Sequence, residues 1–246
     1  MRINYEVAGA GKPLIMLHGW GGSLQSLAEL QNLLSKSGFQ VYNLDLPGFG
    51  QSEMLKNEMQ LEDYVDFVID FIKKLELKKP ILLGHSFGGQ IAARLASREK
   101  HLLSQLILVN AAGINPANTV KKFIFKKIAK TGKRIFKLPG LKQLERPVKS
   151  IFYKYIVRER DYLNANKMKA TMANVVETHL EHALVQITVP TLLIWSEKDT
   201  YTPLWQGEKM ASLISGSRLQ VVAGARHNLP LKDPQAVLFI INSFAK

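Results

Sequence analysis

The 246-residue chain contains no cysteine, which excludes disulfide bonds, thiolate metal sites and a cysteine nucleophile. It also lacks any apolar run approaching the roughly 18 residues that a membrane-spanning helix requires. Hydrophobic residues nevertheless make up 46% of the chain and charged residues 22%, proportions that are typical of globular proteins and exclude a disordered chain. The segment Met1–Val7 carries polar groups where an export signal needs an apolar stretch, so we expect a cytoplasmic protein.

Acidic residues are scarce in one part of the chain only. Between Lys121 and Lys169 there are 16 Lys and Arg residues and three acidic residues, whereas the remainder has 17 basic and 17 acidic residues. The whole net charge of +13 therefore lies in one segment of 49 residues. Such an asymmetry indicates two modules with different roles and argues against nucleic-acid binding by the whole surface.

The order of predicted elements indicates the fold class. From Pro13 onward, short apolar runs alternate with amphipathic helical segments, as in an open, mostly parallel sheet with helices on both faces. Residues 3–7 alternate like an antiparallel edge strand. After Gly113 the alternation gives way to helical periodicity, interrupted by glycine and proline, which predicts three to five inserted helices. The sequence therefore predicts an α/β protein with a doubly wound core domain (1–113 and 187–246) and a helical, strongly basic insertion (114–186).

The motif Gly84-His85-Ser86-Phe87-Gly88 lies directly after an apolar strand and directly before a predicted helix. In that context G-x-S-x-G places a nucleophile on a sharp strand-to-helix turn. The turn is so tight that its flanking residues have to be small, which accounts for Gly84 and Gly88. Since the motif alone is common by chance, its position between strand and helix is what predicts Ser86 as a nucleophile rather than an incidental serine.

A serine hydroxyl requires a general base, and the chain has six histidines. His227 follows the last predicted strand and so lies at the same edge of the sheet as Ser86, which makes it the candidate base. His85 is expected to point away across the turn, and His18 to brace the loop beside it. The other three lie on predicted helices, where a surface or packing role is the simpler interpretation: His101, His179 and His182.

A third residue, an acid, has to orient the imidazole and stabilise its cation. Asp199 follows strand 191–195 at the same sheet edge and is the better candidate, with Glu197 as the alternative. Some proteins of this architecture carry the acid after the preceding strand, but Asn110 and its neighbours offer no carboxylate there. Asp45 also ends a strand, although Asp45-Leu46-Pro47-Gly48 is typical of a turn.

The loop His18-Gly19-Trp20-Gly21-Gly22 ends the first apolar strand. Its glycines allow backbone N–H groups to come close to a ligand. The amides of Trp20 and Phe87 are predicted to form an oxyanion hole, in which each donor contributes about a hundredfold to a thousandfold in rate. The alternative is a glycine-rich loop that serves only to reverse the chain.

The chain order Ser86, Asp199, His227 resembles that of the α/β-hydrolases. The resemblance includes the His18 loop and Asp45-Leu46-Pro47-Gly48-Phe49-Gly50-Gln51-Ser52, and it spans nearly the whole chain except 114–186, where that family inserts its cap. It implies a serine hydrolase that attacks an ester carbonyl, forms an acyl-enzyme and requires no metal or cofactor. The serine argues against dehalogenase and epoxide hydrolase activities, whose relatives use an aspartate nucleophile. Glu197 is a departure, because many relatives have glycine there.

The cap of α/β-hydrolases covers the pocket and determines substrate choice, so the basic insertion is expected to carry specificity for a small-molecule ester. Its cationic helices are either a solvated face, a surface that rests on anionic lipid, or a site that attracts an acidic carrier protein. No pattern indicates nucleic-acid binding. The predicted substrate-binding residues lie in both parts of the chain: His18, Gly19, Phe123, Phe152 and Leu229.

Three functions therefore stay open at the level of the sequence. The first is a carboxylesterase that acts on small to medium acyl esters, with lactones as further candidates. The second is a hydrolase of a carbon–carbon bond, or of a methyl ester or thioester on a carrier. The third is a binding protein that retains the triad and engages a partner through the basic insertion.

Overall fold

The computed structural model describes residues 3–54, 58–114 and 168–245. Most of the predicted basic insertion, including Phe123 and Phe152, lies outside these residues. The described strands form one seven-stranded sheet in the order β1-β3-β2-β4-β5-β6-β7. Their bounds are β1 (Tyr5–Ala8), β2 (Lys12–Leu17), β3 (Phe39–Leu44), β4 (Ile81–His85), β5 (Gln105–Val109), β6 (Thr191–Ser196) and β7 (Arg218–Val222).

The sheet is parallel apart from one edge. Strand β1 pairs antiparallel with β3, and every other neighbouring pair is parallel. The central strand β4 is buried along its whole length, as expected for a parallel strand covered on both faces. The predicted fold class, an α/β-hydrolase fold with a mostly parallel sheet and an antiparallel edge strand, is confirmed.

Helices cover the sheet between successive strands. They are α1 (Ala28–Ser35), α2 (Leu61–Lys74), α3 (Phe87–Arg98), α4 (Lys169–Val176), α5 (Glu181–Leu184), α6 (Leu204–Leu213), α7 (Leu229–Lys232) and α8 (Pro234–Phe244). Among the residues that the structure describes, no helix has the length and the apolar composition that a membrane span requires.

Alternation along the strands divides the buried side chains between two faces of the sheet. One face forms a continuous hydrophobic cluster with α1 and α8, which includes Leu83 and Ile194 from the strands together with Leu30 and Ile241 from the helices. The next strand residue along β6, Trp195, is fully buried and points to the opposite face. Because both faces are covered, only the strand ends and the loops that follow them remain available for a site.

The sequence predicts a helix from Gln25 to Lys36, because its leucines recur at helical spacing, and this helix starts differently in the structure. Residues Leu24–Leu27 form a 3₁₀ turn, and the α-helix begins at Ala28. The backbone of Leu24 is held by buried side chains, because its N–H donates to Asp45 Oδ1 at 2.7 Å and its carbonyl accepts from Asn43 Nδ2 at 2.8 Å. These contacts with distant residues, which local periodicity does not show, set the conformation of the first turn.

The end of the predicted insertion is hydrogen-bonded to the core. The Leu180 N–H donates to Gly113 O at 3.0 Å, and the Met59 N–H donates to Thr171 Oγ1 at 3.0 Å. Gln90 Nε2 on α3 donates to Val175 O at 3.1 Å. Residues 170–184 thus pack on the same compact unit as residues 3–114.

The turn after β4 allows a stability prediction. A Cβ at Gly88 would clash with the carbonyl group of Leu17 in β2, so Gly88→Ala forces the backbone of α3 away from the sheet. We expect a loss of at least about 2 kcal/mol in the free energy of unfolding. Urea unfolding measures it, with Arg94→Ala as the control in the same helix, because that change removes only a half-exposed ion pair with Glu62. Equal losses in the two variants would contradict the clash.

Candidate active site

Ser86 occupies the turn between β4 and α3 in a strained conformation. Its φ is 53°, in the left-handed region that residues other than glycine seldom adopt. The surrounding backbone holds it there, because the Ser86 N–H donates to Val109 O at 3.1 Å and the Ser86 carbonyl accepts from Ala112 N at 3.0 Å. Strain that is maintained by several tertiary hydrogen bonds is typical of functional sites.

The structure brings Ser86, His227 and Asp199 into one hydrogen-bonded line. Ser86 Oγ lies 3.0 Å from His227 Nε2, and His227 Nδ1 lies 2.7 Å from Asp199 Oδ2. The three residues follow strands β4, β7 and β6 at the carboxyl edge of the sheet, where ligands bind in open α/β folds. The imidazole therefore accepts from the serine hydroxyl on one side and donates to the carboxylate on the other.

Asp199 is buried, and its carboxylate is stabilised in the charged form. Burial alone would raise the pKa of Asp199, but the hydrogen bond and charge of His227, together with donors from Thr202, hold it below its usual value. The backbone N–H groups of Tyr201 and Thr202 donate to Oδ1 at 2.8 and 3.0 Å. With Oδ1 occupied by the backbone, Oδ2 is oriented towards His227.

The two other candidate acids have different partners. Glu197 is exposed and accepts a hydrogen bond from the Gly224 N–H at 2.7 Å, so it ties the loop after β7 rather than contacting His227. Asp45 is buried and accepts from the backbone of Leu24 and Gln51 at 2.7 and 2.8 Å. This is the turn role predicted for Asp45, because the carboxylate holds two loops together.

His18 is placed differently from its predicted contact with substrate. It is fully buried, its Nε2 accepts from the Leu46 N–H at 3.1 Å, and its Nδ1 lies 2.7 Å from Gly19 O. Burial lowers the pKa of His18, consistent with a neutral ring that carries its proton on Nδ1. Both ring nitrogens are thus used to brace the loop, and neither is free to bind a substrate.

The loop after β2 comes close to the serine. A Cβ on Gly19 would lie 3.2 Å from Ser86 Cβ, so the residue next to it, Trp20, begins beside the nucleophile. The Trp20 ring packs edge-on against Phe87 with centroids 5.2 Å apart, and it contacts Phe49 at 5.1 Å. This aromatic cluster holds the two predicted oxyanion donors, the amides of Trp20 and Phe87, on neighbouring segments.

A cleft of about 670 Å³ opens beside His227. It is lined among others by Lys198, Tyr201 and Arg226, and the Tyr201 ring lies 4.9 Å from the His227 ring. Leu229 borders this cleft but is only 2% exposed and belongs to the hydrophobic core. Its main role is to anchor the segment after His227, and it offers little surface to a substrate.

The structure adds two residues that the sequence interpretation missed. Thr202 Oγ1 lies 2.8 Å from Asp199 Oδ2, and Asn110 Nδ2 donates to His227 O at 2.8 Å. The only local signal for Thr202 is its position three residues after Asp199, from where a hydroxyl can return to the carboxylate. Asn110 directly follows β5, at the position where some proteins of this architecture carry the acid, and no local pattern indicates that its amide contacts the His227 loop.

These elements define a class of protein: an α/β sheet that holds a serine, a histidine and an aspartate together at the carboxyl ends of its strands. The family model for the α/β-hydrolase fold matches residues 12–234. The chain belongs to the α/β-hydrolase family.

Relatives and solved structures support hydrolase activity. The AB hydrolase superfamily protein YisY of Bacillus subtilis (strain 168) is 28% identical, over 98% of this chain and 94% of that protein. The 2-hydroxymuconate semialdehyde hydrolase of Pseudomonas sp. (strain CF600) is 35% identical over 119 residues, 47% of this chain and 42% of that protein. A hydrolase from Pseudomonas aeruginosa PA01, known as a crystal structure, is 25% identical, covers 99% of this chain and 94% of its own, and has a TM-score of 0.74.

A second buried histidine makes the stability depend on pH. His85 is 4% exposed, its Nδ1 lies 3.1 Å from Val109 O, and burial, followed by the nearby His227, lowers the pKa of His85 to about 3. In the folded protein the His85 imidazole therefore stays neutral at pH values where the same imidazole in the unfolded chain, with a pKa near 6.5, is protonated. The contribution to stability is complete above that pH and is lost progressively as the pH falls towards 3.

We expect His85→Asn to reduce this acid sensitivity, because Asn Nδ2 can replace the donor to Val109 O and does not titrate. The difference in unfolding free energy between pH 7 and pH 5 should shrink by about 2 kcal/mol. Urea unfolding at both pH values measures the difference. His101→Asn, at an exposed histidine, is the matched control, and an unchanged difference in His85→Asn would contradict the assignment.

Proposed function

We propose that the protein is a serine hydrolase that cleaves carboxylic esters of small to medium acyl groups, with lactones as further substrates, through an acyl-enzyme on Ser86. The observation that carries this proposal is the continuous line from Ser86 Oγ through His227 to Asp199, with separations of 3.0 and 2.7 Å. Such a line activates a hydroxyl that is otherwise a poor nucleophile.

In the first step Ser86 Oγ attacks the ester carbonyl carbon while His227 Nε2 accepts the hydroxyl proton. The resulting imidazolium is stabilised by Asp199, whose carboxylate is charged at neutral pH because its pKa is lowered. When the tetrahedral intermediate collapses, the carbon–oxygen bond of the alcohol breaks and His227 returns the proton to that oxygen. The products of this step are the free alcohol and the acyl-Ser86 ester.

Water then repeats the sequence against the acyl-enzyme. His227 takes a proton from the water as it attacks the acyl carbon, and the proton passes to Ser86 Oγ as that ester bond breaks. The carboxylic acid is released and Ser86 is regenerated. The same base and acid thus serve both halves of the reaction.

The negative charge on the carbonyl oxygen requires donors in both steps. The Phe87 amide lies in the first turn of α3, where a helix leaves its N–H groups without intrahelical acceptors. Among the described residues the Trp20 amide has no acceptor either. The positive end of the helix dipole adds to the stabilisation of an anion at this position.

Replacement of the nucleophile tests the proposal. Ser86→Ala should lower kcat for p-nitrophenyl esters by at least about 10⁴-fold without changing the unfolding midpoint greatly, because it removes only the attacking oxygen. The measurement is p-nitrophenolate release across acyl chains of graded length. His182→Ala, on the short helix α5, serves as the control and should retain wild-type rates. Ester hydrolysis that persists in Ser86→Ala would rule out this nucleophile.

Hydrolysis of a carbon–carbon bond is the second candidate, and it is favoured by one observation among the relatives. The 2-hydroxymuconate semialdehyde hydrolase named above is the more identical of the two relatives over the segment that it matches. The compound in its name contains no ester, so its hydrolysis breaks a bond between carbons. A serine, a histidine and an aspartate in this arrangement are compatible with a leaving group that departs through oxygen, as in an ester, or through carbon.

The two candidates are distinguished by direct competition. A purified wild-type protein is given p-nitrophenyl acetate, p-nitrophenyl butyrate and a 2-hydroxymuconate semialdehyde, and kcat/KM is compared. We expect the esters to be preferred. A higher kcat/KM for the semialdehyde than for every ester, abolished in Ser86→Ala, would replace the ester proposal with carbon–carbon hydrolysis.

A further inference from the structure

Asn110 directly follows strand β5, at the point where the chain leaves the sheet. Its φ is 45°, a left-handed conformation that asparagine tolerates better than most other residues. Its side chain is completely buried, and its N–H still donates to Ile194 O in β6 at 3.0 Å. The side chain is therefore placed between the strand that leads to Asp199 and the loop that carries His227.

Both N–H donors and the carbonyl oxygen of the Asn110 amide are hydrogen-bonded there. Oδ1 accepts from the Ser196 N–H at 2.8 Å, while Nδ2 donates to Ser196 Oγ at 2.9 Å and to His227 O at 2.8 Å. Ser196 Oγ in turn donates to Arg226 O at 2.8 Å. Two consecutive carbonyl groups of the His227 loop are thus held, directly or through Ser196, by one buried amide.

Thr202 connects the same groups on the other side. Its hydroxyl lies 2.8 Å from Asp199 Oδ2, 3.1 Å from Asn110 O and 3.3 Å from His227 Nδ1. A hydroxyl has one hydrogen, so it donates either to the carboxylate or to the carbonyl of Asn110. Because Thr202 is also buried, this hydroxyl is shielded from competing water.

We propose that Asn110 and Thr202 are positioning residues for the reaction at Ser86. Asn110 sets the place of the His227 imidazole by holding its main chain, and Thr202 sets the orientation of the Asp199 carboxylate towards Nδ1. This inference rests on the proposed function, since both residues act through His227 rather than on the substrate. The proposed roles explain the left-handed conformation and the buried amide of Asn110, which the packing of β5 and β6 alone does not require.

The chemistry of position 110 explains why it carries an amide and not a carboxylate. The groups that face the side chain are one N–H and two oxygens, those of Ser196 and His227. An ionised aspartate has only acceptors, so it would oppose the carbonyl of His227 with a buried negative charge. An acid at this position would therefore have to abandon the contacts that hold the histidine loop.

Deletion of the Asn110 side chain tests the first half of the proposal. Glycine adopts a φ of 45° without strain, so Asn110→Gly removes the hydrogen bonds and leaves the backbone conformation available. The readout is the rate at which a fluorophosphonate probe labels Ser86, because that reaction needs the activated serine but no particular substrate. In it Ser86 Oγ bonds to phosphorus, fluoride leaves, and His227 accepts the hydroxyl proton.

We expect the labelling rate, and kcat for any ester that the protein cleaves, to fall 10- to 100-fold, with KM changed by less than about threefold. Lys79→Gly is the matched control, since Lys79 is exposed and has a φ of 47°, and it should label at the wild-type rate. An Asn110→Gly variant that is folded and labels as fast as wild type would overturn the role of Asn110.

Thr202 supplies a test that holds even if Asn110→Gly fails to fold. Thr202→Val removes the hydroxyl at nearly constant shape, and Thr202→Ser retains it. Without the hydroxyl donor, more of the Asp199 charge is available to stabilise the imidazolium. In a plot of labelling rate against pH, the rise on the acid side should therefore move to higher pH in Thr202→Val. In Thr202→Ser it should stay at the wild-type position. The titratable side chains that contact His227 include Asp199, His85 and Tyr201. All three are still present in both Thr202 variants.

Identical pH profiles in Thr202→Val and Thr202→Ser would overturn the role of Thr202. Failure of the proposed function gives a different result. A wild-type protein that the probe labels but that cleaves no ester contradicts the ester assignment alone, and the positioning roles are then read from labelling. A folded wild-type protein that is not labelled contradicts the activated serine and the positioning roles together.

Discussion

The conformation of Ser86 is the constraint on which the site depends. A left-handed serine between β4 and α3 is unfavourable by itself, and it persists because the backbone of β5 and of the segment after it bonds to both sides of the residue. Two glycines leave room for this arrangement, because a Cβ on Gly88 would clash with Leu17 in β2 and a Cβ on Gly89 with Ala111 after β5. The same geometry presents the hydroxyl at the carboxyl edge of the sheet and points the first N–H groups of α3 towards the adjoining space.

The polar groups behind the triad show how a buried site keeps its charges where they are used. His18 and His85 are buried, have lowered pKa values and are hydrogen-bonded to backbone carbonyls. Asp199 keeps its charge because four hydrogen-bond donors, from His227, Tyr201 and both the side chain and backbone of Thr202, together with the charge of His227, outweigh the cost of burial. Among the histidines that the structure describes, only His227 has a nitrogen in hydrogen-bond contact with the serine hydroxyl. The surroundings thus select a single base from several imidazoles at the same edge of the sheet.

The site is compatible with several reactions that share a serine nucleophile, as expected for a fold that hosts many activities. What distinguishes them is the group that leaves and the shape of the space that receives it. The described residues provide the chemical centre and the cleft beside His227, whereas the predicted substrate contacts Phe123 and Phe152 lie outside the described residues. The arrangement of the triad therefore favours a serine nucleophile, and the space that receives the leaving group determines which bond is cleaved.

The sequence alone determined the fold class, the parallel sheet with its antiparallel edge and most element positions, because apolar periodicity and turn residues are local signals. The sequence predicts a last helix over residues 234–244, which the structure has at Pro234–Phe244, and the turn around Ser86 follows its motif. Only the tertiary structure decided between Asp199 and Glu197. These two carboxylates are two residues apart, and the conformation of their loop determines which of them faces His227. The tertiary structure alone brought Asn110 and Thr202 to the triad, and it showed that the bracing role expected for His18 uses both ring nitrogens. These outcomes arise from hydrogen bonds between residues up to 117 positions apart, which no local pattern encodes.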